Sequence, residues 1–348
     1  YILPQVRSDT VYEISDEYNQ RISLGFDGLV LKRSEGPEVN RIISDIKWSA
    51  NHVTDKGHVF DLNLSSRLDY YLIDDQTFRG QDFQDDIARF IPTADLTWRY
   101  PVYTMISSNR VIFEPVVMAI MSSNGNNDTR IPNEDSQNIE IYDYNLFQLN
   151  HISGYDRVES GFRLNYGFRT VFSGSSIGDV SIVFGQNFRA QEDSTFSARS
   201  GLDDNFSDYV GRMTINNSKY GQANYRFRFD KENMKFKRNE LSFTLDTDPV
   251  EMNLLYTFID GAAGTFDRQE VFTNAKVAID EQWSFLGTAR RNLDNDDRAG
   301  WVNVSGGLEF DNDCFATAVE VNREFIRDRD VEPSTEILFR ISLQNLGG

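Results

Sequence analysis

The stretch ESGFRLNYGFRTVFSG, residues 159–174, places Phe162, Leu164, Tyr166, Phe168 and Phe172 on one face of an extended chain. Arg163, Asn165, Gly167 and Arg169 fall on the other. Side chains alternate between the two faces of a strand, so this two-residue period predicts a strand with one apolar and one polar surface. The period recurs along the chain. Phe60, Leu62, Leu64, Leu68 and Tyr70 alternate with Asp61, Asn63, Ser65, Arg67 and Asp69, and Leu241, Phe243 and Leu245 alternate with Ser242 and Thr244. Near the end, Ile337, Phe339, Ile341 and Leu343 alternate with Leu338, Arg340, Ser342 and Gln344. Read this way the chain holds about 17 strands. They fall at 2–14, 20–32, 41–53, 57–73, 88–101, 109–122 and 160–173, and then from 178–190 through 208–217 to 314–327 and 334–345. No stretch combines a helical period with caps.

Alternation alone does not separate a sandwich from a membrane barrel, because both hide one face and wet the other. Length does. Sandwich strands average about five to six residues, whereas transmembrane strands need about 9–11, and most segments here run to ten or more. Trp98, Tyr100, Tyr209, Trp283 and Trp301 fall near strand ends, where interfacial girdles sit. Connections alternate between short (173–178, 217–220, 246–250, 280–282, 311–314) and long (74–86, 124–159, 191–207, 260–268, 292–298), as in outer-membrane barrels with short periplasmic turns and long outer loops. Residues 230–235 break that parity and 101–108 are long for a turn. The expected fold is all-β, an antiparallel transmembrane β-barrel, with Phe162, Leu164, Tyr166 and Phe168 toward lipid and Arg163, Asn165 and Arg169 toward a polar lumen. The parity makes the first strand run downward from outside, so an odd number of strands is expected upstream and residues 1–348 read as the C-terminal part of a larger barrel, with a periplasmic C-terminus.

Composition narrows the functions. With 54 acidic against 35 basic residues, net charge −19, the chain is a poor partner for nucleic acid, since phosphate binding needs neutralising Lys and Arg. No apolar run reaches the roughly 18 residues of a membrane helix. Mean hydropathy is −0.49, as in a soluble chain, yet 26 Phe, 15 Tyr and 4 Trp are many aromatics for so polar a sequence. His52, His58 and His151 form no metal spacing, and no nucleophile elbow or phosphate loop occurs. His151 near Ser153 is local adjacency, not a triad. No enzyme, cofactor or metal site is expected. The acidic runs DQTFRGQDFQDD and RNLDNDDRAG offer oxygen atoms that suit Ca²⁺ or Mg²⁺ but lack EF-hand spacing, and read as solvated. Pro115, inside VIFEPVVMAI, cannot donate to a ladder and predicts a bulge that bends the wall. The polar segment 124–159 carries Ile139, Ile141, Leu146 and Phe147, side chains a freely solvated loop has little use for, so it is expected to fold inward and pack on the lumen.

Three stretches carry a family resemblance. ARFIPTADLTWRYPV with VIFEPVVMAI resembles a strand pair of the LptD family of outer-membrane lipopolysaccharide translocons. RIPNEDSQNIEIYDYNLFQLNHISGYDRVESGFRLNYGFR resembles that family's long loop and following strand, and GLEFDNDCFATAVEVNREFIRDRDVEPSTEILFRISLQNLGG its last three strands. The variant looks alphaproteobacterial. The resemblance implies a roughly 26-strand barrel preceded by a periplasmic jellyroll, the jellyroll and first strands lying outside this chain. It implies transport of lipopolysaccharide into the outer leaflet through a lateral gate between first and last strands, the last being Glu336, Ile337, Leu338, Phe339, Arg340, Ile341, Ser342 and Leu343 here. The partners implied are lipopolysaccharide, an LptE-like plug lipoprotein, an LptA-like bridge through the jellyroll, and the barrel-assembly machinery. Many members carry two adjacent cysteines at the penultimate turn; here Cys314 is followed by Phe315, which leaves a single disulfide to the N-terminal region as what the resemblance implies, beside the alternative of a free thiol. A passive diffusion porin and a soluble β-sandwich binding module are the competing readings.

Overall fold

The computed structural model describes residues 2–78, 81–124, 127–137, 139–193, 195–197, 199–261, 267–294, 299–312, 314–326 and 332–343. Its strands are β1 (Ile2–Ser15), β2 (Gln20–Leu31), β3 (Glu38–Val53), β4 (Val59–Phe78), β5 (Gln81–Arg99), β6 (Val102–Ile106), β7 (Asn109–Ser122), β8 (Gly161–Ser175) and β9 (Gly178–Arg189). They continue as β10 (Tyr209–Asn217), β11 (Gly221–Phe229), β12 (Phe236–Thr247), β13 (Val250–Ile259), β14 (Arg268–Ala278), β15 (Trp283–Asn292), β16 (Gly300–Asp311), β17 (Phe315–Glu324) and β18 (Thr335–Leu343). Among the described residues no helix is long and apolar enough to cross a membrane.

The chain divides into two compact units. The first comprises residues 1–103, 112–169 and 184–209. In it β1 to β5 form successive antiparallel hairpins, and β5 then pairs with β7 from Thr93↔Ser122 to Arg99↔Val116. The second comprises 104–111, 170–183 and 210–348, where β11 to β18 form an uninterrupted antiparallel meander.

Burial in the first unit inverts that of a water-soluble protein. On β4, Leu64, Leu68, Tyr70 and Leu72 are exposed while Asp69, Tyr71 and Ile73 are buried. On β3, Ile42 and Ile46 are exposed while Arg41 and Ile43 are buried, and on β5 Phe90 and Leu96 are exposed while Arg89 and Asp95 are buried. A wall whose outer face is a continuous apolar surface is what a bilayer requires and water penalises. In the second unit the outward row includes Leu255, Phe285, Leu308, Val319 and Val321. An apolar cluster of Leu31, Val39, Tyr71, Ile73, Ile87 and Ile131 closes one end of the β2–β5 inner face.

Two features depart from the sequence pattern. The segment 74–86, expected as a long loop, is a strand extension: β4 (20 residues) and β5 (19 residues) stay paired to Phe78↔Gln81, with one irregularity between Ile73 and Gln76. Such strands rise past what a membrane needs, and beyond it neither face has to be apolar, so the alternation fades while the ladder persists. The segment 101–108, expected as a turn, contains the short strand β6, set off from β5 by Tyr100 and Pro101.

Candidate functional site

The inner face of β2–β5 concentrates charge because alternation puts every second residue there. Arg41 lies opposite Tyr71, Asp45 opposite Arg67, and Asp69 opposite Arg89. Cross-strand neighbours at that distance interact directly. Arg67 donates from Nε and Nη2 to the two oxygens of Asp69, each at 2.9 Å, and Arg89 donates from Nε (3.0 Å) and Nη2 (2.6 Å) to Asp69 Oδ2. Arg89 also donates to the Tyr71 hydroxyl at 2.8 Å.

The other half of the site comes from the 127–159 loop. The IPNEDS stretch (131–136) and the GYDR stretch (154–157) are knitted into one knot. Asp135 Oδ1 accepts the amides of Tyr155 (3.0 Å) and Asp156 (3.2 Å), Asp156 Oδ2 accepts those of Glu134 (2.7 Å) and Asp135 (3.2 Å), and the Ser136 hydroxyl accepts that of Arg157 (2.9 Å). Gly154 sits at φ +76°, where a Cβ would lie 2.4 Å from the Asp135 carbonyl oxygen, so only glycine fits this turn.

The knot docks onto the wall. Arg41 donates to Asp156 Oδ1 at 2.8 Å and to Asp27 Oδ1 at 3.3 Å, and pairs with Asp135 Oδ2 at 2.9 Å. The Tyr71 hydroxyl donates to Asp156 Oδ1 at 3.0 Å. Arg67 and Arg89 reach the Tyr155 carbonyl at 2.9 and 2.8 Å, and Arg89 the Asp156 carbonyl at 2.8 Å. The Tyr155 ring lies under the Arg41 and Arg67 guanidiniums at 5.1 and 5.6 Å. Backbone amides and Arg41 hold the Asp135 carboxyl below its ordinary range although burial alone would raise it.

A second buried knot fixes the loop's exit. Glu159 pairs with Arg163 at 2.7 Å, with Arg189 at 2.8 Å and with His151 Nδ1 at 3.1 Å, and accepts the His151 amide at 2.9 Å. Burial alone would push this carboxyl up, but Arg163, His151 and Arg189 outweigh it and hold it far below the usual carboxylate range. Arg163 also donates to the Leu149 carbonyl at 2.9 Å, and Arg189 stacks on Phe196 at 4.4 Å. These carboxylates are saturated by cations and amides. The arrangement holds a loop in place.

The loop's apolar residues occupy the same region. Ile141 and Leu146 are fully buried, Ile139 and Phe147 half-buried. Ile141 donates its amide to the Ser200 carbonyl at 2.8 Å, and the Arg169 guanidinium lies over the Phe147 ring at 5.1 Å. Leu146 rests on Gly185, where a Cβ would come within 2.7 Å of Leu146 Cδ2. Pro115 sits in β7 one residue beyond the end of its pairing with β5, its carbonyl accepting the Tyr100 amide at 3.3 Å opposite the β5–β6 interruption. Cys314 is exposed and unpaired, its amide donating to Asn312 Oδ1 at 2.9 Å. In β18, Glu336 to Leu343 are all exposed and pair on one side with β17, Phe315↔Leu343 to Arg323↔Thr335. Gln344 and part of each acidic run (79–80, 295–298) lie outside the described residues.

Sequence reasoning did not single out Arg41, Arg67, Asp69, Arg89, Asp156 or Glu159. The available signal was inward charges on three neighbouring strands, at positions that register brings side by side, together with a GYDR stretch rich in turn formers.

An antiparallel strand wall, apolar outside and charged inside, with a long loop clasped to its charged face, defines a protein of the β-barrel class. More narrowly, the chain belongs to the LptD family: the family description "LPS transport system D" matches residues 1–283. Among curated relatives, the "LPS-assembly protein LptD" of Francisella tularensis subsp. novicida (strain U112) is 20% identical over 263 residues, 63% of this chain and 30% of that one. The "LPS-assembly protein LptD" of Vibrio cholerae serotype O1 (strain ATCC 39315 / El Tor Inaba N16961) is 22% identical over 263 residues, 62% of this chain and 32% of that one. The chain thus matches about a third of these relatives' length. Among solved structures, a Rh. blastica porin mutant aligns at 12% identity over 92% of this chain and 98% of its own, but with a TM-score of 0.28, too low to bear on the shape.

Proposed function

We propose that the chain forms part of an outer-membrane barrel that carries lipopolysaccharide to the outer leaflet. The family match over residues 1–283 carries this reading. The exposed apolar and buried charged faces of the wall support it, since lipid tails and sugars need opposite surroundings. In this reading the charged face lines the lumen, the clasped loop narrows it, and the C-terminus is periplasmic. The exposed edge of β18 meets the barrel's first strand at a weak seam through which lipid A leaves. An LptE-like lipoprotein occupies the lumen, an LptA-like bridge delivers substrate, and the barrel-assembly machinery inserts the protein. No chemistry is performed on the substrate. Cys314 pairs with a cysteine in the N-terminal region: non-reducing electrophoresis of the full-length protein should show a mobility shift that Cys314→Ser abolishes, and an unchanged band would leave a free thiol.

The transport reading is tested by cross-linking β18 to the first strand of the full-length barrel. Lipopolysaccharide at the cell surface should fall while the barrel stays folded. Undiminished delivery through the locked seam would refute the lateral route.

A further inference from the structure

Next to the clasp, the first unit holds a half-open cavity of about 230 Å³ on the charged face, bordered by Arg67, Glu159 and Arg163 of the two knots. Its floor is two cross-strand rows set by register. One runs Lys47, Ser65, Thr93, Ser122 across β3, β4, β5 and β7; the other runs Asp45, Arg67, Ile91. Leu149, Asn150 and Val158 of the loop roof it, and Glu159 and Arg163 close one side.

Part of the donor set here is unspent. Among the described residues the Lys47 ammonium makes no hydrogen bond or salt bridge. Arg67 uses Nε and Nη2 on Asp69 and Tyr155, which leaves Nη1 over. Arg163, buried to 2% exposure, has no partner for Nε. The anions are engaged or displaced. Glu159 is held by Arg163, Arg189 and the His151 ring, Asp95 accepts from Asn63 at 2.8 Å, and the Asp45 carboxylate lies over Gly25 of β2, where a Cβ would come within 2.2 Å of its Oδ1. The Lys47 end of the cavity therefore offers open N–H donors, and it continues into a row of hydroxyls in which Thr93 donates to Ser122 at 3.3 Å. The Lys47 ammonium acts on Asp95 through space but donates no hydrogen bond to it, so its donors stay open, and Lys is a strong point-charge partner for phosphate. The hydroxyls suit a polyhydroxylated body attached to that phosphate. The volume is below the roughly 300–1,000 Å³ of drug-sized sites and matches a single sugar ring.

We propose that this cavity binds one phosphorylated sugar unit, its phosphate at Lys47 and Arg67 and its hydroxyls along Ser65, Thr93 and Ser122. The identification of that unit with a sugar of passing lipopolysaccharide rests on the transport reading; the binding chemistry does not.

The test titrates the full chain in detergent micelles with glucose 6-phosphate, glucose and inorganic phosphate, followed by calorimetry. Glucose 6-phosphate should bind saturably, at least tenfold more tightly than either fragment. Lys47→Gln should weaken it at least tenfold, Lys47→Arg should retain it within a few-fold, and Thr93→Val should weaken it without changing phosphate binding. Heat-modifiable gel mobility reports that each variant is folded. Equal affinity for inorganic phosphate would reduce the cavity to an oxyanion site and overturn the proposal, as would binding indifferent to Lys47→Gln. If depleting the protein leaves surface lipopolysaccharide unchanged while glucose 6-phosphate binding still follows Lys47, the pocket stands and the transport reading falls. If depletion removes surface lipopolysaccharide but no sugar phosphate binds, the pocket falls alone.

Discussion

Strands β3–β5 and β11–β17 share one alternating pattern, yet their inward charges live in different surroundings. In the first set Arg41 and Asp156 are each 1% exposed, and Arg89 with Asp69 is 4% and 0% exposed. In the second, Lys276 pairs with Glu309 at 2.5 Å while 35% and 18% exposed, and Arg226 pairs with Glu240 at 3.1 Å while 33% and 17% exposed. The strands do not create this difference. The 127–159 loop does, by laying its own carboxylates and carbonyls over the first set. A charged wall is inexpensive while wet; once covered, each charge needs a partner in the right place.

That contrast predicts unequal responses to the same kind of substitution. The largest effect belongs to the clasp. Arg41→Ala leaves the Asp156 and Asp27 carboxylates without their shared cation and should destabilise the first unit by about 3–5 kcal/mol, measured by urea unfolding in lipid vesicles. A loss under about 1 kcal/mol, the size expected of an exposed pair, would erase the distinction.

Next is the difference between the faces of one strand. Phe168 packs against Phe113 and Phe184 at 5.5 and 5.8 Å on the apolar side, while Arg169 lies over Phe147 on the other. Phe168→Arg should cost about 2–4 kcal/mol near the bilayer midplane, and Arg169→Ala much less. Equal folding yields in lipid would reverse the assignment of faces.

Acid should then loosen the covered region selectively. The folded-state pKa of Glu159 lies below its unfolded value of about 4.3. Its stabilisation is therefore complete above that value and is lost as pH falls through it toward the folded pKa. Protease nicking within 127–159 should stay level from neutral pH down to about 4.3 and rise below it, and Glu159→Gln should flatten that dependence. Nicking that rises equally in the variant would assign the acid response to other groups. The smallest effect is expected at Lys276→Ala, under about 1 kcal/mol because its ion pair is solvent-screened; thermal melting that shows a loss as large as at Arg41 would count against the contrast.

The strand wall was legible because each segment repeats its own evidence: Leu62, Leu64, Leu68 and Tyr70 all vote for the same face, and the structure puts Leu64, Leu68 and Tyr70 there, exposed. Legibility stopped where the constraint stopped. Beyond Ile73 the sequence no longer alternates, and the pattern reads as loop. The short β6 was hidden by Pro101, whose presence reads as a break. The clasp was out of reach for a different reason. Arg41 and Asp156 are 115 positions apart, and Arg67 and Arg89 bind the carbonyls of Tyr155, which any residue would offer. Of the loop residues singled out beforehand, Ile141 and Leu146 are now seen in full burial, whereas the ionic half of the same loop gave no local sign.

The separation of Arg41 from Asp156 also imposes an order of assembly. Asp69 meets Arg89 across only 20 positions, so β3, β4 and β5 can zip together hairpin by hairpin soon after they emerge. Their charged surface cannot shed its hydration at that stage, because the groups that replace water arrive only with residues 134–156, and closing so long a loop is slow relative to a hairpin. The expected sequence is a wet, paired wall first and a late dehydration step in which loop and wall lock together. Pulsed hydrogen exchange during refolding should protect the β3–β5 amides before those of Glu134, Tyr155 and Asp156; simultaneous protection would show that the loop instead guides the strands from the start.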